Sequence, residues 1–166
     1  MTGAAVTYHP RIVACADCSK TTEAGVAEPI GYSGKSLTAK LGVKAGQRVL
    51  ALDAPGHYGA LVDPLPDGAC VIPGAWATAE PGFEIVHAFF ADRASLARRA
   101  ADLTALPAPG GMIWVSWPKK ASTLFRDLTE NDIRALMLPT GWVDVKVAAI
   151  DADWSGLKFL RRTASR

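Results

Sequence analysis

Ala108-Pro109-Gly110-Gly111-Met112-Ile113-Trp114-Val115-Ser116-Trp117-Pro118-Lys119-Lys120 is the stretch whose reading decides the fold. Pro109 and the glycine pair open it, and Pro118 with the two lysines closes it. Between them, Met112 to Trp117 is apolar except for Ser116. The run is too short for an ordinary helix and is flanked by turn residues, so it reads as a strand. Apolar residues on both faces place such a strand inside a parallel sheet covered by helices. A half-buried antiparallel strand would share much of this pattern, but helical patterns on either side favour the parallel reading.

Upstream, Leu96, Ala100, Leu103 and Leu106 recur at helical spacing, while Arg93, Arg98, Arg99 and Asp102 fall largely elsewhere. Asp92 is the expected N-cap, and Pro107 and Pro109 end the helix. Glu84 to Phe90, apolar apart from Glu84 and His87, is a strand before it. Strand, helix, strand in that order is a right-handed crossover, so the two strands are expected to be parallel. Further back, Arg48 to Leu52 is the first strand. A bend over Asp53-Ala54-Pro55-Gly56-His57-Tyr58-Gly59 leads to a short helix ending near Val62, a short strand at Cys70-Val71-Ile72 and a loop over 74–82. Lys35 to Leu41, with Ser33 or Ser36 as cap and Gly42 as a left-handed stop, reads as a lid helix against the sheet edge.

Downstream, Thr129-Glu130-Asn131-Asp132 resembles a capping box with Asp in place of Glu, and Ile133, Leu136 and Met137 supply the buried side of its helix. Pro139-Thr140-Gly141 stops it. Val143, Val145, Val147 and Ala149 then alternate with more polar neighbours, which predicts a strand with one face better buried. Asp151 to Gly156 turns the chain and Leu157 to Arg161 returns. The connection is so short that the two strands must be antiparallel.

At 166 residues the chain fits one domain, expected over 30–162, with a mobile extension over 1–29 and a tail over 163–166. A net charge of +2 is too balanced to imply nucleic-acid binding by bulk charge, and with no basic run interleaved with aromatics that reading ranks last. No apolar run approaches the ~18 residues of a membrane span. The N-terminus lacks the basic-then-apolar order of a signal peptide, so a cytoplasmic location is expected. Three cysteines argue against a disulfide framework. Cys15-Ala16-Asp17-Cys18 is half of a zinc or redox motif with no second half, and an incidental pair is the favoured reading.

A run of parallel strands with crossover helices, closed by a helix and an antiparallel hairpin, resembles the methyltransferase branch of the Rossmann-like folds. Leu106-Pro107-Ala108-Pro109-Gly110-Gly111-Met112-Ile113-Trp114-Val115 is similar to the L-x-P-G-G lead-in to that fold's fifth strand. The fold class expected is therefore α/β: a three-layer, mostly parallel sheet with helices on both faces and a C-terminal antiparallel hairpin, a reduced methyltransferase fold. More closely, the chain resembles the uncharacterised bacterial family known as domain of unknown function 3052. The segments that carry this are Gly31-Tyr32-Ser33-Gly34, Leu41 to Leu50, Trp114 to Lys120, and Trp154-Ser155-Gly156-Leu157-Lys158. That family implies no activity. The methyltransferase resemblance implies a glycine-rich loop after the first strand and a ribose-binding carboxylate after the second. Here the first loop carries Pro55 and two glycines three apart, and the second strand ends Ile72-Pro73-Gly74. The middle of the sheet also reads one strand-helix unit short. No cofactor is expected, and catalysis is left open with the balance against it.

In open α/β sheets, ligands bind beyond the carboxyl ends of the strands, at the switch in strand order. The loops that should converge there are Asp53 to Gly59, Ala91 to Arg93, Trp117 to Ser122, and Asp151 to Gly156. Asp53, at the end of the first strand, is the best single polar candidate, with Gly56 beside it. His57 is an acid or base by its chemistry, but no nucleophile or second carboxylate accompanies it, so a structural loop histidine is favoured. Lys119 and Lys120, with Ser122, form either an anion clamp or a solvated pair. Tyr58, Trp117 and Trp154 either stack on a ligand ring or simply pack. His87 is expected to be a satisfied core residue. The favoured reading is a non-catalytic module that binds a small anionic ligand. The alternatives are a small enzyme acting on an anionic substrate, with His57, Asp53 and the lysines at its site, and a module that binds a protein partner.

Overall fold

The computed structural model describes residues 35–163. The N-terminal extension with Cys15 and Cys18, the segment 31–34 and the last three residues lie outside the described residues. The chain runs α1 (Leu37–Leu41), β1 (Arg48–Leu52), α2 (Tyr58–Leu61), β2 (Cys70–Gly74), β3 (Phe83–Phe89), α3 (Arg93–Ala105), β4 (Pro107–Pro118), α4 (Glu130–Met137), a 3-10 turn (Leu138–Thr140), β5 (Trp142–Ala149) and β6 (Trp154–Arg161). These strands form one six-stranded sheet in the order β2-β1-β3-β4-β6-β5. β2, β1, β3 and β4 are parallel, and β6 is antiparallel to both β4 and β5.

The strand pleat divides the interior into two cores. Leu50 and Leu52, Val86 and Ala88, Ile113 and Val115 face one way, under Leu96 and Leu103 of α3 and Ile133 and Met137 of α4. Val49 and Ala51, Ile85 and Phe89, and Trp114 face the other, under Leu37 and Leu41 of α1 and Tyr58 of α2. Helices on both faces of a parallel sheet explain why β4 is apolar on both sides. The α3 N-cap forms as expected, Asp92 accepting the Ser95 N–H at 2.8 Å. So does the α4 capping box between Thr129 and Asp132.

Three expectations are corrected. β4 begins at Pro107, five residues before the apolar run, because Pro107 already pairs with Phe83. The register shift there is where Gly111 lies. A Cβ on Gly111 would sit 2.9–3.1 Å from the carbonyl oxygens of Ala108, Phe83 and Glu84, so only glycine fits. Second, α1 is not a lid at the sheet edge. It lies over the middle of the sheet, where the fully buried Trp114 donates its indole N–H to the Leu41 carbonyl at 3.1 Å. Five residues cannot hold a helix alone, so this packing and the Ser36 and Gly42 caps sustain it. Third, the valines of β5 are not its buried side. Val145 and Val147 are 50% and 47% exposed. β5 is an edge strand with a register shift between Asp144 and Lys146, and the extra residue reverses the alternation. Lys146, and not a valine, lies over the Trp114 ring.

The unit expected to be short lies between β2 and β3. No helix spans residues 75–82. The segment itself runs back across the sheet, and Trp76 and Ala79 pack on the core that α3 and α4 cover elsewhere.

Candidate functional site

The chain leaves β1 for β2 on one side, then returns to place β3 on the other. This switch opens a crevice beyond the carboxyl ends of β1 and β3. A cavity of about 400 Å³ occupies it. Trp76, Phe89, Phe90 and Trp154 supply its aromatic walls, and Asp53, Ser95, Arg98 and Arg99 its polar groups.

Asp53, just after β1, is in the left-handed region, with φ +53°, and is the one non-glycine among the described residues with positive φ. Strain of this kind gathers at functional positions, and Asp tolerates it better than most residues. The turn aims the carboxylate at Trp76, whose indole N–H it accepts at 2.7 Å. The Trp76 ring also packs at 5.6 Å on Phe90, and the Arg99 guanidinium lies over it at 5.3 Å. Trp76 therefore bridges β1, β3 and α3 across the crevice. It can do so because 75–82 is a bare segment and not a helix. Arg98, exposed on α3, donates to the Ser95 hydroxyl at 3.2 Å.

The expected single hollow is divided. His57 Nε2 meets the Asp151 carboxylate at 2.7 Å, and Lys119 Nζ donates to the Asp151 carbonyl at 2.7 Å. The second Asp151 carboxylate oxygen accepts the N–H groups of Asp153 and Trp154, both at 2.8 Å. Ser122 donates to the Asp153 carboxylate at 2.8 Å. The loops after β1 and β4 do meet the β5–β6 turn, as the topology requires. His57, Lys119 and Ser122 bond to that turn and do not line the crevice cavity. Lys120 and Trp117 face elsewhere: they line a second cavity of about 330 Å³ beside the start of α4, with Phe125, Leu128 and Arg134. Gly56 is exposed on the loop. Of the sequence candidates, Asp53 and Trp154 reach the crevice.

Tyr58 is packed in the core and lines neither cavity. It is 3% exposed, and its hydroxyl bonds His87 Nδ1 at 2.8 Å. His87 Nε2 in turn meets the Ser116 hydroxyl at 2.6 Å, and both of these residues are fully buried. His87 is the satisfied core residue that was expected. Burial pulls its pKa down to about 3 and pushes the Tyr58 phenol up, so both stay neutral. A neutral imidazole has one donor and one acceptor nitrogen, which satisfies both neighbours.

Trp76, Ser95, Arg98 and Arg99 were not singled out as site residues in the sequence. A lone tryptophan in the loop after β2, and two arginines in the first turns of the helix after β3, were the available signals. Both loops follow strands at the carboxyl edge, where this fold binds ligands.

The fold resemblance implies S-adenosylmethionine in this crevice, and the residues present do not fit it. Pro55 removes a backbone donor from the loop after β1. Ala75, Trp76, Ala77 and Thr78, which follow β2, carry no carboxylate for ribose hydroxyls. Trp76 projects into the crevice from the very segment that should supply one. Among the described residues, no group of three or more His, Cys, Asp or Glu is placed to hold a metal, and no helix is long and apolar enough to cross a membrane.

No family model and no curated protein matches the chain. Solved structures do. The chain is similar to a possible exported protein from Bordetella parapertussis, with a TM-score of 0.56 and 10% identity, over 77% of this chain and 66% of that one. It is similar to the fibrillarin pre-rRNA processing protein of Methanococcus jannaschii, with a TM-score of 0.54 and 12% identity, over 76% of this chain and 73% of that one. It is also similar to the magnesium protoporphyrin IX methyltransferase of Synechocystis, with a TM-score of 0.50 and 10% identity, over 76% of each chain. At such identities the likeness is one of fold: the chain has a methyltransferase-like Rossmann fold, with a mostly parallel six-stranded sheet ending in antiparallel strands.

Proposed function

We propose that the chain is a non-catalytic ligand-binding or regulatory module on this methyltransferase-like scaffold, and that its ligand enters the crevice between β1 and β3. The observation that carries the reading is Trp76, bonded to Asp53, packed on Phe90 and covered by Arg99 where a methyltransferase would hold its cofactor. The chemistry of the lining supports it. The ionisable groups at the crevice are Asp53, Arg98 and Arg99. Arginine stays protonated, and the Asp53 carboxylate is engaged with an indole N–H, so the crevice lacks an acid–base pair. An enzyme using His57, Asp53 and both lysines is less well supported, because those groups are spread over the crevice, the β5–β6 turn and the second cavity.

The proposal includes a place in the domain of unknown function 3052 family, on the segments quoted above, and a cytoplasmic location with no nucleic-acid partner. Calorimetric titration of S-adenosylmethionine is the test. No heat of binding is expected, and a response in the micromolar range refutes the reading.

A further inference from the structure

We infer that the crevice ligand is a small aromatic anion, a flat system of one or two rings bearing a single carboxylate or phosphate. This rests on the crevice being a ligand site and goes on to name the class of ligand. The walls are aromatic: Trp76 is half-buried, and the buried Phe89, Phe90 and Trp154 each present a small part of a ring. Rings in such a slot gain offset or edge contacts beyond simple area burial. The cavity, about 400 Å³, sits at the small end of ligand sites, which span roughly 300–1,000 Å³. That suits one or two rings better than a nucleotide.

Charge in the crevice is sorted by side. On the β1 side, Asp53 is engaged with the Trp76 N–H. On the α3 side stand two guanidinium groups. Arg99 is engaged, lying over the Trp76 ring and bonding the Asp102 carboxylate at 3.3 Å. Arg98 lines the crevice, donates to the neutral Ser95 hydroxyl and lies within reach of the Asp92 charge, and its guanidinium carries further donors for an oxyanion. A cationic ligand would meet two guanidinium groups against one carboxylate. A neutral one would forgo the charge-assisted bond. Carboxylate and phosphate share the required chemistry, and the test separates them.

The experiment is calorimetry on the full chain with 1-naphthoate, 1-naphthyl phosphate and neutral 1-naphthol. At least one anion is expected to bind at sub-millimolar concentration, with naphthol at least about tenfold weaker; the tighter anion identifies the acid group. R98Q, at an exposed position, should bring the anion down to the level of naphthol. W76A should weaken all three probes. The inference is overturned if neither anion binds, if naphthol binds as tightly as both, if R98Q leaves the anion preference intact, or if W76A changes nothing. Heat from S-adenosylmethionine would instead overturn the reading of the module as a whole. Silence from both the cofactor and the naphthyl anions removes only the ligand class.

Discussion

Replacing His87 by Gln should remove most of the acid sensitivity of this protein between pH 7 and pH 5. His87 is fully buried between the hydroxyls of Tyr58 and Ser116. Burial lowers its pKa from 6.5 to about 3 in the fold. The unfolded chain therefore takes up a proton that the folded chain refuses. The stabilisation is complete above the unfolded value and is lost as pH falls towards the folded one. The slope approaches about 1.4 kcal/mol per pH unit, and integrating from pH 7 to pH 5 gives a loss of about 2 kcal/mol. Glu84, Asp92 and Asp132 have lowered pKa values through hydrogen bonds and nearby arginines, and their stabilisation is lost only in the more acidic carboxylate range. Urea unfolding of wild type and H87Q at both pH values gives the difference directly. Wild type should lose about 2 kcal/mol more than the variant. Equal losses, or an NMR titration of the folded His87 ring with a midpoint near 6.5, would refute the argument.

Four further substitutions test other parts of the structure. G156A should destabilise by about 1–3 kcal/mol in urea unfolding, because the added Cβ would lie 2.8 Å from Ile150 Cδ1 and 3.1 Å from the Ser116 hydroxyl. T129A removes the α4 cap and should cost about 1 kcal/mol in the same assay. D151A strips the acceptor from two backbone N–H groups and should cost about 1–3 kcal/mol, with faster amide exchange at Asp153 and Trp154. H57A breaks only the exposed half of that cluster and should cost no more than about 1 kcal/mol.

The elements that were legible in the sequence are those whose causes are local. The α3 and α4 caps, the Gly42 stop and the buried β3-α3-β4 unit follow from residues close together in the chain, because capping and amphipathic spacing act within one or two turns. The missed features depend on partners far along the chain. The bulge in β5 reverses its alternation, and its exposed valines make sense only once β5 is an edge strand paired with β6. The position of α1 depends on Trp114, 73 residues from its acceptor at Leu41. Asp53 and Trp154 were identifiable as crevice residues because they follow or begin strands at the carboxyl edge. Lys119 and Lys120 are adjacent yet part company, one bonding the β5–β6 turn and the other lining the second cavity.

The amino-acid order by itself determined the α/β class, the parallel crossover and the terminal hairpin, since hydrophobic period and turn chemistry are properties of neighbouring residues. Only the tertiary structure decided what the crevice is made of. Trp76 and Arg99 are 23 positions apart, on a bare loop and on a helix, and the twist of one sheet brings them into contact over Asp53. No local pattern encodes a meeting of that kind, because it exists only after the strands have paired.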